Sequence, residues 1–159
     1  MTGITYALAL AGALGCGLAA GVFFAFSSFV MDGLEELAPA AGIDAMNAIN
    51  RKAPTPLFMT ALFGTALVCA ALAVHAVTTW GDRSATLLLA GAVLYLVGAI
   101  AVTMTRNVPL NDALMALDPH GAEAATRWSA YVAGWTAWNH VRTVASLASA
   151  ALITAAIAA

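Results

Sequence analysis

Residues 4–31 read ITYALALAGALGCGLAAGVFFAFSSFVM. The run carries no charge and exceeds the ~20 residues that an α-helix needs to cross a hydrocarbon core. Three more apolar stretches follow. Residues 53–81 carry no Asp, Glu, Lys or Arg and are entered through Pro54 and Pro56; proline suits a helix start, where its missing amide would have no partner anyway. Residues 84–105 follow the turn Trp80-Gly81-Asp82-Arg83 and end at Arg106, a cation that suits the helix dipole and can snorkel. The last stretch ends at Ala159. Asp118-Pro119 reads as an N-cap with proline at N1, and no strong breaker follows except Gly134, so one long helix partly outside the membrane fits. The expected spans are about 4–30, 57–79, 84–105 and 135–158, with polar loops at 31–56 and 106–134.

Of the 159 residues, 62% are hydrophobic and 9% charged, against roughly 25% charged in soluble domains. Charges this scarce cannot cover a surface facing water, so the solvent is lipid. A formal net charge of −2 and scattered basic residues exclude a nucleic-acid partner and a polybasic lipid-binding cluster. Cys16 and Cys69 sit inside apolar runs at a spacing that suits no metal motif, and read as core residues. The first run has no Lys or Arg before it and continues through Phe29 without a cleavage site, so it is expected to stay in the mature chain. Ala13-Leu14-Gly15-Cys16 lacks the first Leu and the basic leader of a lipoprotein box.

The fold class is therefore all-α: an integral membrane four-helix up-down bundle forming a single domain, 1–159. Short connections make consecutive spans antiparallel and put both termini on one side. In the first long loop Ile43, Met46 and Ile49 recur at helical spacing with Asn47 and Asn50 between them, which predicts a short interfacial helix. The two long loops hold Arg51, Lys52, Arg106 and Arg127, whereas the other side has Arg83. The positive-inside rule places both long loops in the cytoplasm, with the protein integral to the plasma membrane. Gly17 and Gly21 form a small-xxx-small pair, and Gly12, Ala13 and Ala20 extend a narrow surface, which predicts close helix contact.

The segment that carries chemistry is 127–143, RWSAYVAGWTAWNHVRT. On a continuous helix Trp128, Tyr131, Trp135, Trp138, Asn139, Arg142, Ser146 and Ser149 fall within an arc of roughly 100°. That face combines aromatic planes with an amide, a guanidinium and hydroxyls. Arg142 is followed by a short, almost wholly apolar tail, and an ionisable residue inside a membrane usually faces the bundle interior with a partner. Asp112, in the polar segment Arg106–Asp112, is the expected partner. The competing reading makes Arg142 a snorkelling or architectural cation, and Trp128 and Trp135 an interfacial aromatic belt. His140 points about 100° away from Asn139 and leaves the arc. His75 and His120 lie elsewhere, so the histidines do not converge as metal ligands, and haem or non-haem iron is not expected. No phosphate-binding loop, CxxC pair or Ser-His-Asp set is present.

With these residues in view, the chain resembles the anthrone oxygenase-like family of small four-helix membrane proteins, a family many of whose members have no assigned reaction. The likeness rests on 21–27 (GVFFAFS), Met46 through Asn50, 107–111 (NVPLN) and 138–143 (WNHVRT), and covers most of the chain. It implies oxidation of anthrones to anthraquinones by molecular oxygen, with no cofactor. Under that implication Trp135 and Trp138 stack on a lipophilic aromatic substrate, with Trp128 and Tyr131 beside them, and Arg142 stabilises its developing oxyanion. Asn139 orients oxygen or peroxide, Asn107, Asn111 and Asn50 complete a polar wall, and His140 or Asp112 accepts the proton. The rival reading is a non-catalytic membrane protein that binds a lipophilic molecule or packs in a larger complex, with Arg142 and the asparagines as internal glue. A transporter is third, because four spans without repeats leave little room for alternating access unless the chain forms a homo-oligomer.

Overall fold

The computed structural model describes residues 3–159. Four helices are long and apolar enough to cross a membrane: α1 (Gly3–Glu35), α3 (Pro56–Thr78), α4 (Arg83–Met115) and α5 (Ala124–Ile157). A shorter helix, α2 (Pro39–Lys52), joins α1 to α3. Each start has a local cause. Thr55 Oγ1 accepts from the Phe58 amide at 3.2 Å, with Pro56 at the first helical position. Asp82 Oδ1 accepts from the Ala85 amide at 2.7 Å and opens α4. The turn before it needs Gly81, whose φ of 144° suits a residue without Cβ.

The four long helices form a closed ring in which α1 neighbours α3, α3 neighbours α4, α4 neighbours α5, and α5 returns to α1. This is the expected up-down bundle. Two apolar clusters fill it. One, around Ala9, Cys16, Leu72, Leu88, Tyr95 and Ile153, occupies the half near the α3–α4 turn. The other, around Met31, Ile43, Met46, Leu114, Trp128 and Trp135, lies beneath α2. Between them runs a buried polar layer that includes Asn107, Asn139, Arg142 and Ser146.

Three expectations need correction. First, where the sequence predicts a polar loop from residue 106, α4 continues to Met115. Pro109 is accommodated because the backbone immediately before it, Thr103–Asn107, widens into π-helical turns, and such a register change relieves the clash that proline makes with the preceding turn. Second, Asp118-Pro119 does not open α5. Asp118 Oδ1 instead accepts from the His120 amide at 3.0 Å in a local turn, and α5 starts at Ala124. Third, Gly17 and Gly21 face open space, whereas a Cβ at Gly12 would meet Leu72 at 3.1 Å. The close approach of α1 to α3 runs through Gly12, on the narrow surface the sequence predicts beside that pair, and through Gly15, where a Cβ would run into the Thr65 side chain.

Further π-helical turns occur at Phe26–Val30 in α1, Thr60–Gly64 in α3 and Leu94–Ala101 in α4. Widened turns of this kind re-aim side chains and are frequent at functional sites.

Candidate functional site

The aromatic half of the site is built by α5 with help from α1 and α2. Trp128 and Tyr131 stack with centroids 5.7 Å apart and planes 15° from parallel, and Tyr131 leads on to Trp135 at 6.5 Å. Phe26 packs on Trp135 at 5.5 Å. Gly42 lets α2 settle on this ladder, since a Cβ there would lie 2.7 Å from the Trp128 ring. The Tyr131 hydroxyl donates to Asn111 Oδ1 at 2.9 Å, tying α5 to the end of α4.

Arg142 stands two helical turns beyond Trp135 along α5 and is 5% exposed. Ser84 Oγ donates to the Ala156 carbonyl, which levels the far ends of α4 and α5. From Ala156, fourteen residues of helix lift the Arg142 backbone by about 21 Å, inside the apolar thickness of a bilayer. Nη1 donates to Thr103 Oγ1 at 3.2 Å, and Nη2 donates to Asn139 Oδ1 at 2.7 Å. The Thr103 hydroxyl donates in turn to the Ala99 carbonyl at 2.7 Å, which leaves its lone pairs free to accept from Arg142. The guanidinium carbon lies 4.4 Å from the Phe23 ring centroid and 5.0 Å from that of Trp135. Cation–π contact stabilises the charge without neutralising it.

The expected carboxylate partner is absent. Asp112 is exposed, and among the described residues the one ion pair joins Arg127 to Glu123 on the surface. Arg142 Nε has no hydrogen-bond partner. The bundle therefore holds a buried, oriented cation with donor capacity to spare.

Asn139 supplies the orientation. It is wholly buried; Nδ2 donates to the Phe23 carbonyl and to Ser27 Oγ, both at 2.7 Å, while Oδ1 accepts from Arg142. Both amide hydrogens are engaged, so Asn139 is a positioning residue and has no hydrogen left to offer dioxygen. Thr143 Oγ1 donates to the Asn139 carbonyl at 2.9 Å and lies 3.1 Å from Ser27 Oγ. This mesh locks α1 to α5 at the level of the cation.

Arg142 borders a cavity of ≈ 280 Å³, near the lower end of the size range of small-molecule sites. Its walls come from every helix: Phe23 and Phe26 of α1, Asn50 of α2, Met59 of α3, and Thr103 and Asn111 of α4, with Trp135 beside Arg142. Phe26, Leu62, Phe63, Thr103 and Met104 all come from π-helical turns. The Asn50 amide Nδ2 has no hydrogen-bond partner.

Of the residues singled out in the sequence, Arg142, Trp135, Asn111 and Asn50 meet at this cavity. Trp128 and Tyr131 stand behind Trp135 as packing, and Asn107 is buried, donating to the Trp135 carbonyl at 3.2 Å. Trp138 is half-buried away from the cavity, where Arg106 lies 4.8 Å from its ring. His140 is exposed, as is Asp112, so neither expected proton acceptor reaches the site. Wall residues missed in the sequence include Phe23, Phe58, Met59, Thr103 and Met104. Phe23 lies within the quoted 21–27 segment; the others sit in apolar runs with no polar pattern to mark them. Among the described residues no group of three or more His, Cys, Asp or Glu could hold a metal ion.

No curated protein and no solved structure matches the chain. The family model for anthrone oxygenase matches residues 57–152, from the first turn of α3 to near the end of α5, and so takes in Thr103, Asn111, Trp135, Asn139 and Arg142. On that match over more than half of its length, joined to four membrane-length helices, the chain belongs to the anthrone oxygenase family.

Proposed function

We propose that the protein is a membrane-embedded oxygenase that converts a lipophilic, anthrone-like phenolic substrate to its quinone with dioxygen. The observation that carries this reading is Arg142, a buried guanidinium with no carboxylate partner on the wall of an aromatic-lined cavity. A cation in that setting favours an oxyanion. An anthrone loses a benzylic proton to become an anthrolate, whose charge rests on the carbonyl oxygen. Arg142 holds that oxygen, and Trp135 and Phe23 flank the rings. The carbanion form passes an electron to dioxygen, and recombination gives a peroxide anion at the former methylene carbon. Protonation and loss of water leave a carbonyl. CH2 plus O2 gives C=O plus H2O, so atoms and electrons balance with no other reductant or cofactor.

No carboxylate or imidazole lines the cavity, so the proton leaves to water or to the substrate's own phenolates. The same fact supports a second reading, in which the cavity binds a lipophilic anion without chemistry. Purified protein supplied with anthrone and oxygen separates the two. The first reading requires quinone formation above the spontaneous rate with one O2 consumed per quinone, and loss of the gain in Arg142→Ala. Spontaneous rates throughout a panel of phenolic anthrones leave binding alone.

The cavity takes part of its wall from α2, and in this proposal the end of the bundle that carries α2 and the α4–α5 turn faces the cytoplasm of the plasma membrane. Single cysteines placed at Asp44 and Asp82 test it: an impermeant thiol reagent applied outside intact cells labels position 82 and spares position 44. The reverse pattern inverts the topology. A homo-oligomer is compatible with the exposed apolar faces, and the cavity is complete within one chain.

A further inference from the structure

On the lipid side of the bundle, α1 and α3 frame a second hollow of ≈ 270 Å³. Thr55 is its one polar lining residue, and Leu57 and Leu18 at its mouth are 83% and 59% exposed. In a helix pair that spans a membrane, that exposure is to acyl chains. Val22, Phe58 and Leu62 line this hollow and also line the Arg142 cavity. These three side chains thus stand between the two hollows.

We propose that this crevice is the entry vestibule through which a lipophilic aromatic substrate passes from the bilayer to Arg142. The proposal rests on the reading of the Arg142 cavity as a substrate site. A planar, weakly acidic aromatic partitions into the upper hydrocarbon region, which this proposal sets at the level of Thr55 and Leu57, at the start of α3. It enters neutral, because an apolar vestibule penalises the anion, and it becomes an anion only where Arg142 can hold it.

The partition is built to yield. Phe58 is half-buried in the first turn of α3, next to the widened turns Thr60–Gly64 that contain Leu62. Such turns are frequent at functional sites. Deeper in, the Tyr95 hydroxyl donates to the Leu62 carbonyl at 3.1 Å and anchors α3 to α4. In this proposal the side chain that yields is therefore Phe58.

An entry path differs from a binding site in kinetics: obstructing it slows association and dissociation together and leaves affinity alone. The protein in phosphatidylcholine nanodiscs, mixed with 1,8-dihydroxyanthraquinone and followed by tryptophan quenching, reads both rates. Ala61 lines the crevice and not the cavity. Ala61→Phe should lower both rates about tenfold with little change in Kd, because a path constriction raises one shared barrier. Leu18→Ala, which widens the mouth of the crevice and does not line the cavity, should raise both with little change in Kd, so the proposal stays testable if Ala61→Phe misfolds. Wild-type rates in both variants, beside Arg142-dependent binding, overturn the vestibule and leave the site standing. A Kd unchanged in Arg142→Gln removes the site reading and the vestibule with it.

Discussion

Asn139→Ala removes three contacts of 2.7 Å at once: two donated by Nδ2 to the Phe23 carbonyl and Ser27 Oγ, and one accepted from Arg142. At the net values typical of water-soluble proteins, about 1 kcal/mol for each neutral bond and roughly 1.5–3 for the charged one, the loss would total roughly 3.5–5 kcal/mol. Measured side-chain bonds within a bilayer average nearer 0.6 kcal/mol, because the unfolded helices also find partners, which gives about 2 kcal/mol for three. Asn139 is fully buried, and the truncation leaves a charged donor unpaired, which moves the expectation above that lower figure. The variant should lose about 2–4 kcal/mol of stability. Detergent-driven unfolding in mixed micelles, followed by tryptophan fluorescence, measures it. Thr143→Val is the internal control: Thr143 donates to the Asn139 carbonyl within its own helix and touches Ser27, so its loss should stay below about 1 kcal/mol. If Asn139→Ala costs no more than Thr143→Val, the three-way clamp on Arg142 is wrong.

Gly42→Ala places a methyl 2.7 Å from the Trp128 ring and should destabilise by about 1–3 kcal/mol through overpacking; Gly33→Ala, which meets nothing within 4 Å, should be neutral or slightly stabilising in the same unfolding assay. Trp135→Ala strips a cavity wall and should weaken binding of 1,8-dihydroxyanthraquinone at least about tenfold, in line with a lost stacking partner. Trp138→Phe, Asp112→Asn and His140→Ala lie off the cavity and should change turnover less than about twofold, as substitutions outside a site do; a large loss in either of the last two would restore it as the proton acceptor.

The membrane class and the four helices were legible because charge is almost absent from long windows, a signal that survives any detail of packing. Arg142 stood out for the same reason in reverse, as the one cation deep in an apolar run. Its partner was not legible. Asp112 shares its side of the membrane, yet loop proximity in sequence does not say which way a carboxylate points, and α4 continues as helix and turns Asp112 outward. The 100° arc assumed an evenly wound helix with one interior face, but aromatic residues on that face divide between cavity, packing and periphery: Trp135 reaches the cavity, Trp128 packs under α2, and Trp138 meets Arg106. Thr103 was invisible because it reaches Arg142 from a π-helical turn, and no residue type encodes such turns. Asn139 was placed correctly on the interior face, but its role depends on the Phe23 carbonyl of α1, a contact that spans 116 positions of sequence.

The central claim is electrostatic: Arg142 is a charge waiting for an anion. A spectrophotometric pH titration of 1,8-dihydroxyanthraquinone bound to the protein in nanodiscs reads it directly, since the phenol and phenolate differ in colour. A fixed cation favours the charged form, so the bound phenol should ionise about one to two pH units lower on the wild-type protein than on Arg142→Gln, as expected for an anion beside a single positive charge. Equal ionisation on the two proteins, with the probe bound to both, would contradict the account.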